Sequence, residues 1–116
     1  MISYEIQFLY ALIITLISEI IVSVFIFKKF LSYEISLSRI ITASAIVSIL
    51  TLPYFWFVLP FFITDHTWFI LIGEVSIVII EAYLLYFQLG ILWKHAGIVS
   101  IVANTVSIII GLLVLN

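Results

Sequence analysis

Residues 68–87 read WFILIGEVSIVIIEAYLLYF, an almost wholly apolar stretch that carries two carboxylates, Glu74 and Glu81. A helix rises about 1.5 Å per residue, so a stretch of this length crosses the roughly 30 Å of hydrocarbon in a bilayer. The stretch therefore predicts a membrane-spanning helix with acidic side chains at membrane depth. An ionisable residue at that depth costs several kcal/mol and is by default a candidate functional residue.

The rest of the chain has the composition of a membrane protein. Of its 116 residues, 66% are hydrophobic and 9% are charged, which leaves too little polar surface to cover a soluble globule. The four windows long enough to span a bilayer are 6–27, 40–62, 68–87 and 96–115. Open sheet edges are not tolerated in hydrocarbon. The sequence therefore predicts an all-α fold, a single domain over residues 1–116 with four transmembrane helices in an up-down bundle.

All the basic residues fall in two of the connections between these spans. Lys28, Lys29 and Arg39 lie in the first connection and Lys94 lies in the third. The positive-inside rule places both connections in the cytoplasm and both termini outside. We expect an integral, multi-pass protein of the cell membrane, in contact with the lipid bilayer. With a net charge of −2 and no basic patch, the chain is not expected to bind nucleic acid.

The fourth span carries a stripe of small and polar residues. Gly97, Ser100, Asn104, Ser107 and Gly111 recur at spacings of three or four. In lipid, small residues let helix backbones approach, and polar side chains hydrogen-bond across the gap. We therefore expect Gly97 and Gly111 to be helix-packing residues.

The third span carries a matching stripe, because Glu74, Glu81 and Gln88 are spaced seven apart. Counted outward from the short connection between the two spans, the expected pairs are Gln88 with Gly97, Glu81 with Asn104, and Glu74 with Gly111. One interpretation is purely structural: Glu81, in its neutral form, and Asn104 form a hydrogen bond, or clamp, that only holds the two helices together. Such a bond stabilises a helix pair by about 0.6 to 2 kcal/mol. The other interpretation is a functional site.

A third carboxylate, Glu19, lies in the first span at a depth similar to that of Glu81, and no Lys or Arg lies at that depth. The sequence therefore predicts a site that binds a proton or an ion, made of Glu19, Glu74, Glu81 and Asn104. Its expected supporting polar layer is Ser48, Thr51, Ser100 and Ser107. The alternative for the hydroxyl groups is that each bonds the backbone of its own helix.

Three classes of function are left open. The favoured one is a proton- or cation-coupled transporter or channel subunit that acts as an oligomer, with H⁺ or Na⁺ as its bound ion and no other cofactor. The second is an accessory or assembly subunit of a larger membrane complex whose helices satisfy the buried acids. The third is an intramembrane metal-dependent enzyme, which would need more ligands than one copy clearly offers.

No catalytic residue is predicted. The sequence contains no phosphate-binding loop, no zinc-binding H-E-x-x-H and no nucleophile elbow. It also contains no cysteine, which excludes disulfides and thiol chemistry.

The first span, with a lone glutamate in LISEIIVSVFIFKK (16–29), resembles that of the small multidrug resistance transporters in a chain of similar length and helix number. The resemblance implies that Glu19 exchanges protons for cationic substrates in a dimer. Glu19 is the only residue of this sequence that matches a functional residue of that family. The third span departs from the family, since GEVSIVIIEAYLLYF (73–87) replaces its glycine-rich helix, carries two extra acids and lacks the expected tryptophan. The likeness is one of size and layout.

The predicted topology can be tested by labelling, because the chain has no cysteine of its own. Single cysteines at Ser3 and Asn116 should react with a membrane-impermeant maleimide in intact cells, whereas a cysteine at Lys94 should react only after permeabilisation. Protection of both terminal sites in intact cells would overturn the orientation.

Overall fold

Four long helices account for most of the chain in a computed structural model that describes residues 3–31 and 33–115. They are α1 (Tyr4–Lys29), α2 (Leu37–Pro53), α3 (His66–Leu89) and α4 (Trp93–Leu115), and these described ranges contain no strand. All four, with α2 and its continuation counted to Phe61, are long and apolar enough to cross a membrane. The fold is therefore all-helical, with four candidate transmembrane helices, as the sequence predicts.

Local capping signals set the helix ends. Ser3, Ser36 and Asp65 precede α1, α2 and α3, and each side-chain oxygen accepts a hydrogen bond from the backbone N–H three residues later. Helix α3 ends at Leu89 and is followed by Gly90, whose φ of 64° lies in the left-handed region that glycine adopts without strain. These caps leave only short connections between the helices.

The helices pack as a ring, in which α1 and α3 each contact both α2 and α4. At one end, the Tyr4 hydroxyl donates to the carbonyl oxygen of Trp56, just beyond α2, at 2.6 Å. At the other end, Lys28 Nζ donates to the carbonyl oxygen of Ile35, just before α2, at 2.8 Å. These contacts fit the up-down order. That order and the side of the membrane on which the termini lie stay predictions.

The second span changes its helical type part of the way along. Helix α2 ends at Pro53, and the chain continues as a π-helical turn, Tyr54–Val58, and a 3-10 turn, Leu59–Phe61. Proline lacks an N–H and its ring clashes with the carbonyl four residues earlier, so a regular α pattern is not maintained around this residue. Most of the predicted span over 40–62 is therefore helical, but only the part up to Pro53 is α-helical.

Helix α3 accommodates the π-helical segment because Gly73 has no side chain. A Cβ atom built on Gly73 would lie 2.5 Å from Phe55 Cε2 and 2.9 Å from Leu59 Cδ2, whereas nothing lies within 4 Å of the corresponding positions on Gly97 and Gly111. Among the described residues, the close packing expected at Gly97 and Gly111 is therefore not made, and Gly73 makes such a contact instead. Residue spacing identified a helix face with small side chains but not what packs against it.

The wholly apolar part of the core lies toward one end of the bundle. We call this cluster the apolar plug, and its members are Ile26, Phe27, Ile35, Ile40, Ala43, Val47, Ala82, Leu85, Leu89, Ile91, Ala96 and Val99. Ile35 and Ile91 lie in the connections 30–36 and 90–92, and the other members lie in the parts of the four helices toward these connections. The plug closes the bundle at the end that carries the basic residues.

Tyr33 joins the two connections at this end. Its hydroxyl oxygen accepts from the backbone N–H of Leu92 at 2.9 Å and lies 2.7 Å from Nδ1 of His95. The Tyr33 O–H can therefore donate to a neutral His95 ring. The His95 ring is thus half-buried and hydrogen-bonded rather than free in a solvated turn.

Replacing Gly73 by alanine should lower the thermal stability of the protein in detergent, because the new methyl group would displace Phe55 and Leu59. Overpacking of this kind costs about 1 to 3 kcal/mol. The matched control is Gly111→Ala, which has open space and should keep or raise the unfolding temperature, since alanine is favoured over glycine in a helix by about 1 kcal/mol. Circular dichroism would measure both transitions. Equal behaviour of the two variants would contradict the assignment of the close contact to Gly73.

Candidate functional site

Two carboxyl groups lie next to each other in the centre of the bundle. Glu19 on α1 and Glu81 on α3 are each only 2% exposed, and their carboxyl groups are in direct contact. We call them the carboxyl pair. Two negative charges at this separation, away from water, repel each other strongly, so the pair is stable only when a proton or another cation compensates for charge.

Ser48 of α2 supplies the hydrogen bond to Glu19. Its hydroxyl is fully buried and donates to Glu19 Oε2 at 2.6 Å. The other oxygen, Oε1, is buried and has no hydrogen-bond partner among the described residues. One oxygen of the Glu19 carboxyl group therefore receives no hydrogen bond from the part of the chain that the structure describes.

Two neighbouring helices supply the hydrogen bonds to Glu81. Asn104 of α4 donates from Nδ2 to Glu81 Oε2, and the same nitrogen donates to the carbonyl oxygen of Ser100 at 2.9 Å, which fixes the amide. The Thr51 hydroxyl lies 3.1 Å from Glu81 Oε1 and 2.8 Å from the carbonyl oxygen of Val47. It has one hydrogen and can donate to either. The contact of Glu81 with Asn104 expected from the two stripes is present.

The four oxygens of the carboxyl pair are therefore not equally hydrogen-bonded. Protein donors reach three of its four oxygens, and the fourth, Glu19 Oε1, is buried without one. A protonated carboxyl group is a donor as well as an acceptor. One proton shared by Glu19 and Glu81 would both satisfy this oxygen and remove one negative charge.

A cleft of about 140 Å³ leads away from the carboxyl pair. Its lining residues are Ala11, Thr15, Glu19, Thr51, Leu52, Phe55, Trp56, Glu74, Ile77, Glu81, Asn104, Ser107 and Ile108. Neither Lys nor Arg is among them. Besides Glu19, the lining residues of α1 are Ala11 and Thr15, which lie in its first half toward the end where Tyr4 contacts Trp56. The apolar plug lies on the opposite side of the pair. The carboxyl pair therefore has a partly polar cleft on one side and mostly apolar packing on the other, with the buried Ser23 and Ser44 beside the plug.

Glu74 lies apart from the carboxyl pair. It is half-buried, lines the same cleft, and also lines a groove of about 270 Å³ between α3 and α4. That groove is otherwise mostly apolar, with Asn104 and Thr105 as its other polar residues. Glu74 therefore lies between the interior cleft and the outer surface of the helices.

The predicted supporting layer divides into two kinds of residue. Ser48 and Thr51 contact the carboxyl pair, as described above. Ser100 instead donates to the carbonyl oxygen of Val78 at 2.7 Å and so links α4 to α3. Ser107 lines the cleft.

The contact expected between Gln88 and Gly97 is not made among the described residues, because nothing lies within 4 Å of a Cβ atom built on Gly97. Gln88 lines a cavity with residues of α2, and its backbone carbonyl accepts from Arg39 Nη2 at 3.2 Å. A straight helix drifts by about 20° for every seven residues. A stripe spaced by seven thus rotates gradually about the helix axis, so Glu81 contacts both Thr51 of α2 and Asn104 of α4, whereas Gln88 lies toward α2.

Among residues 3–31 and 33–115, no group of three or more His, Asp or Glu side chains lies close enough to hold a metal ion. Comparison with protein-family models, curated proteins and solved structures gives no match to this chain. A function for the chain is therefore argued from the geometry of its own residues.

Substituting Asn104 by leucine should destabilise the bundle by about 1 to 2 kcal/mol, because Glu81 Oε2 would lose its donor in a buried site. Reversible unfolding in mixed micelles would measure the change in the free energy of unfolding. Thr105→Val is the control, since the Thr105 hydroxyl is exposed and donates to the carbonyl oxygen of Ile101 in its own helix. It should change stability by less than about 0.5 kcal/mol. Similar losses in both variants would argue against the interhelical bond.

Proposed function

We propose that this small membrane protein is a proton- or cation-coupled transporter or channel subunit, in which Glu19 and Glu81 together hold one H⁺ or one small cation such as Na⁺. The observation that carries the proposal is the pair of buried carboxyl groups in contact, with Glu19 Oε1 unsatisfied and no basic side chain lining the site. Acidic groups at membrane depth without basic partners are typical of ion and proton pathways.

A purely structural clamp explains less of this geometry. Asn104 and Glu81 alone would form an interhelical hydrogen bond, and a glutamine in place of Glu81 would serve equally well. The clamp gives no reason for Glu19 to lie against Glu81, where a second acid adds a further cost of burial. A shared proton or cation accounts for both acids at once.

The surroundings of the pair favour access from one side at a time. Thr15, Ser107 and Glu74 line the cleft, which would let water or a small cation approach the pair. On the other side, the apolar plug separates the pair from the opposite end of the bundle. We propose that transport requires the plug to part while the cleft closes, so that the pair faces each side in turn.

The π-helical turn, Tyr54–Val58, is the element best placed for such a rearrangement. Its residues Phe55 and Trp56 line the cleft, and Phe55 packs against Gly73 of α3. Single π-helical turns are frequent at functional sites, because their backbone pattern is less regular than that of an α-helix. A shift of this turn would widen or close the approach to the pair.

A second candidate, an accessory or assembly subunit, is favoured by Glu74. Its carboxyl group borders the groove between α3 and α4, where an outside helix could lie against it. A basic or hydrogen-bonding side chain from a larger complex would then satisfy this acid. In the favoured transporter proposal, a second copy of this chain would take that place, since four helices enclose little space by themselves.

The transport proposal predicts that Glu19→Gln and Glu81→Gln each abolish ion-coupled proton movement in proteoliposomes. Glutamine keeps the shape and much of the hydrogen bonding but cannot carry a proton. A pH-sensitive dye inside the vesicles would follow proton flux driven by a membrane potential or by a Na⁺ gradient. Both variants should fall to the rate of protein-free vesicles, with an unfolding free energy within about 1 kcal/mol of the parent.

Glu5→Gln is the matched control, because Glu5 is an exposed carboxylate in the first turn of α1, and this variant should behave like the parent. Parental flux in both Glu19→Gln and Glu81→Gln would refute ion coupling through the pair. Recovery of a stoichiometric foreign subunit in mild detergent, with no flux from the chain alone, would favour the accessory-subunit candidate.

A further inference from the structure

A second polar cavity lies far from the carboxyl pair, between the start of α2 and the end of α3. Its volume is about 310 Å³, and its lining residues are Ser38, Arg39, Thr42, Ala43, Gln88 and Leu89. None of them lines the cleft at the carboxyl pair. Any ligand of this cavity is therefore separate from the ion proposed for Glu19 and Glu81.

The polar side chains of this cavity are rich in hydrogen-bond donors. Arg39 and Gln88 bring a guanidinium and an amide group, and Ser38 and Thr42 bring hydroxyl groups. No carboxylate is among the lining residues, in contrast to the cleft that holds Glu81. The charge of the cavity is therefore positive, and it suits an anion.

Two of these groups have N–H donors that no described residue accepts from. The Arg39 guanidinium has five N–H donors and directs one of them, from Nη2, to the carbonyl oxygen of Gln88. The Nε2 atom of Gln88 is buried and has no hydrogen-bond acceptor among the described residues. A ligand with several acceptor oxygens would bind the remaining Arg39 donors directly, and it would satisfy Gln88 Nε2 once that buried amide turns toward the cavity.

We propose that this cavity binds the phosphate group of an anionic ligand. The planar guanidinium of Arg39 matches two phosphate oxygens at once, and the Gln88 amide and the Ser38 and Thr42 hydroxyls supply donors for the others. The cavity lies at the helix ends that share one face of the bundle with the basic connections. Basic pockets between transmembrane helices at the cytoplasmic side are typical sites for lipid headgroups.

Binding at this position would also join two helices of the apolar plug. Arg39 precedes Ile40 and Gln88 precedes Leu89, and both apolar residues are buried in the plug. A phosphate group that bridges Arg39 and Gln88 would therefore hold α2 against α3 at the closed end. A ligand that binds the folded state raises its stability in proportion to its occupancy.

The test uses the full-length chain in a neutral detergent, titrated with phosphatidylglycerol and, separately, with phosphatidylcholine, and native mass spectrometry to count bound lipid. The parent should bind phosphatidylglycerol more tightly, and Arg39→Gln should weaken that binding about fivefold or more. Lys94→Gln is the matched control, because it removes a basic residue near the same end that does not line the cavity. It should bind like the parent.

Thr42→Val keeps every charge and removes one donor, so it should weaken binding by a smaller factor even if Arg39→Gln folds poorly. A second arm adds inorganic phosphate as a competitor. Competition that is lost in Arg39→Gln supports the site with free phosphate as a ligand, and Arg39-dependent lipid binding without competition supports it with the lipid phosphate as the ligand. Equal losses in Arg39→Gln and Lys94→Gln, or binding unchanged by both Arg39→Gln and Thr42→Val, would overturn the proposal.

Discussion

The contact between the Glu19 and Glu81 carboxyl groups is the most demanding feature of this fold, because acidic groups are costly in hydrocarbon and two in contact repel when both are charged. The acids and the side chains that hydrogen-bond to them come from all four helices. Helices α1 and α3 contribute the acids, α2 contributes the Ser48 and Thr51 hydroxyls, and α4 contributes the Asn104 amide. The polar centre can therefore form only when the whole bundle is assembled.

The outer surface contributes little to that assembly. The helices expose large apolar side chains on most of their outward faces, which suits lipid but provides no hydrophobic force between helices inside a bilayer. Association then depends on specific contacts, namely the bonds at the polar centre, the link from Ser100 to the Val78 carbonyl, and the close approach at Gly73. Loss of any one of these contacts should lower the stability of the bundle more than the exchange of one lipid-facing apolar residue for another.

Polar and apolar residues are also separated along the length of the bundle. The cleft with Glu74 and the aromatic residues of the π-helical turn lies on one side of the carboxyl pair, and the apolar plug lies on the other. Such an asymmetry gives the carboxyl pair two unequal approaches. It is the arrangement that a one-sided access state of a transporter would need, and it is what a uniformly apolar bundle lacks.

The sequence by itself determined the number of long apolar helices, their approximate lengths and the contact of Glu81 with Asn104. Those features follow from hydrophobic length and from counting along one hairpin, where a short connection fixes which residues are level. Only the tertiary structure decided that Glu19 meets Glu81, that Gly73 rather than Gly97 or Gly111 makes the close contact, and that Gln88 faces α2. These depend on how each helix is rotated about its axis against neighbours distant in sequence, and residue spacing along a single helix carries no information about that rotation.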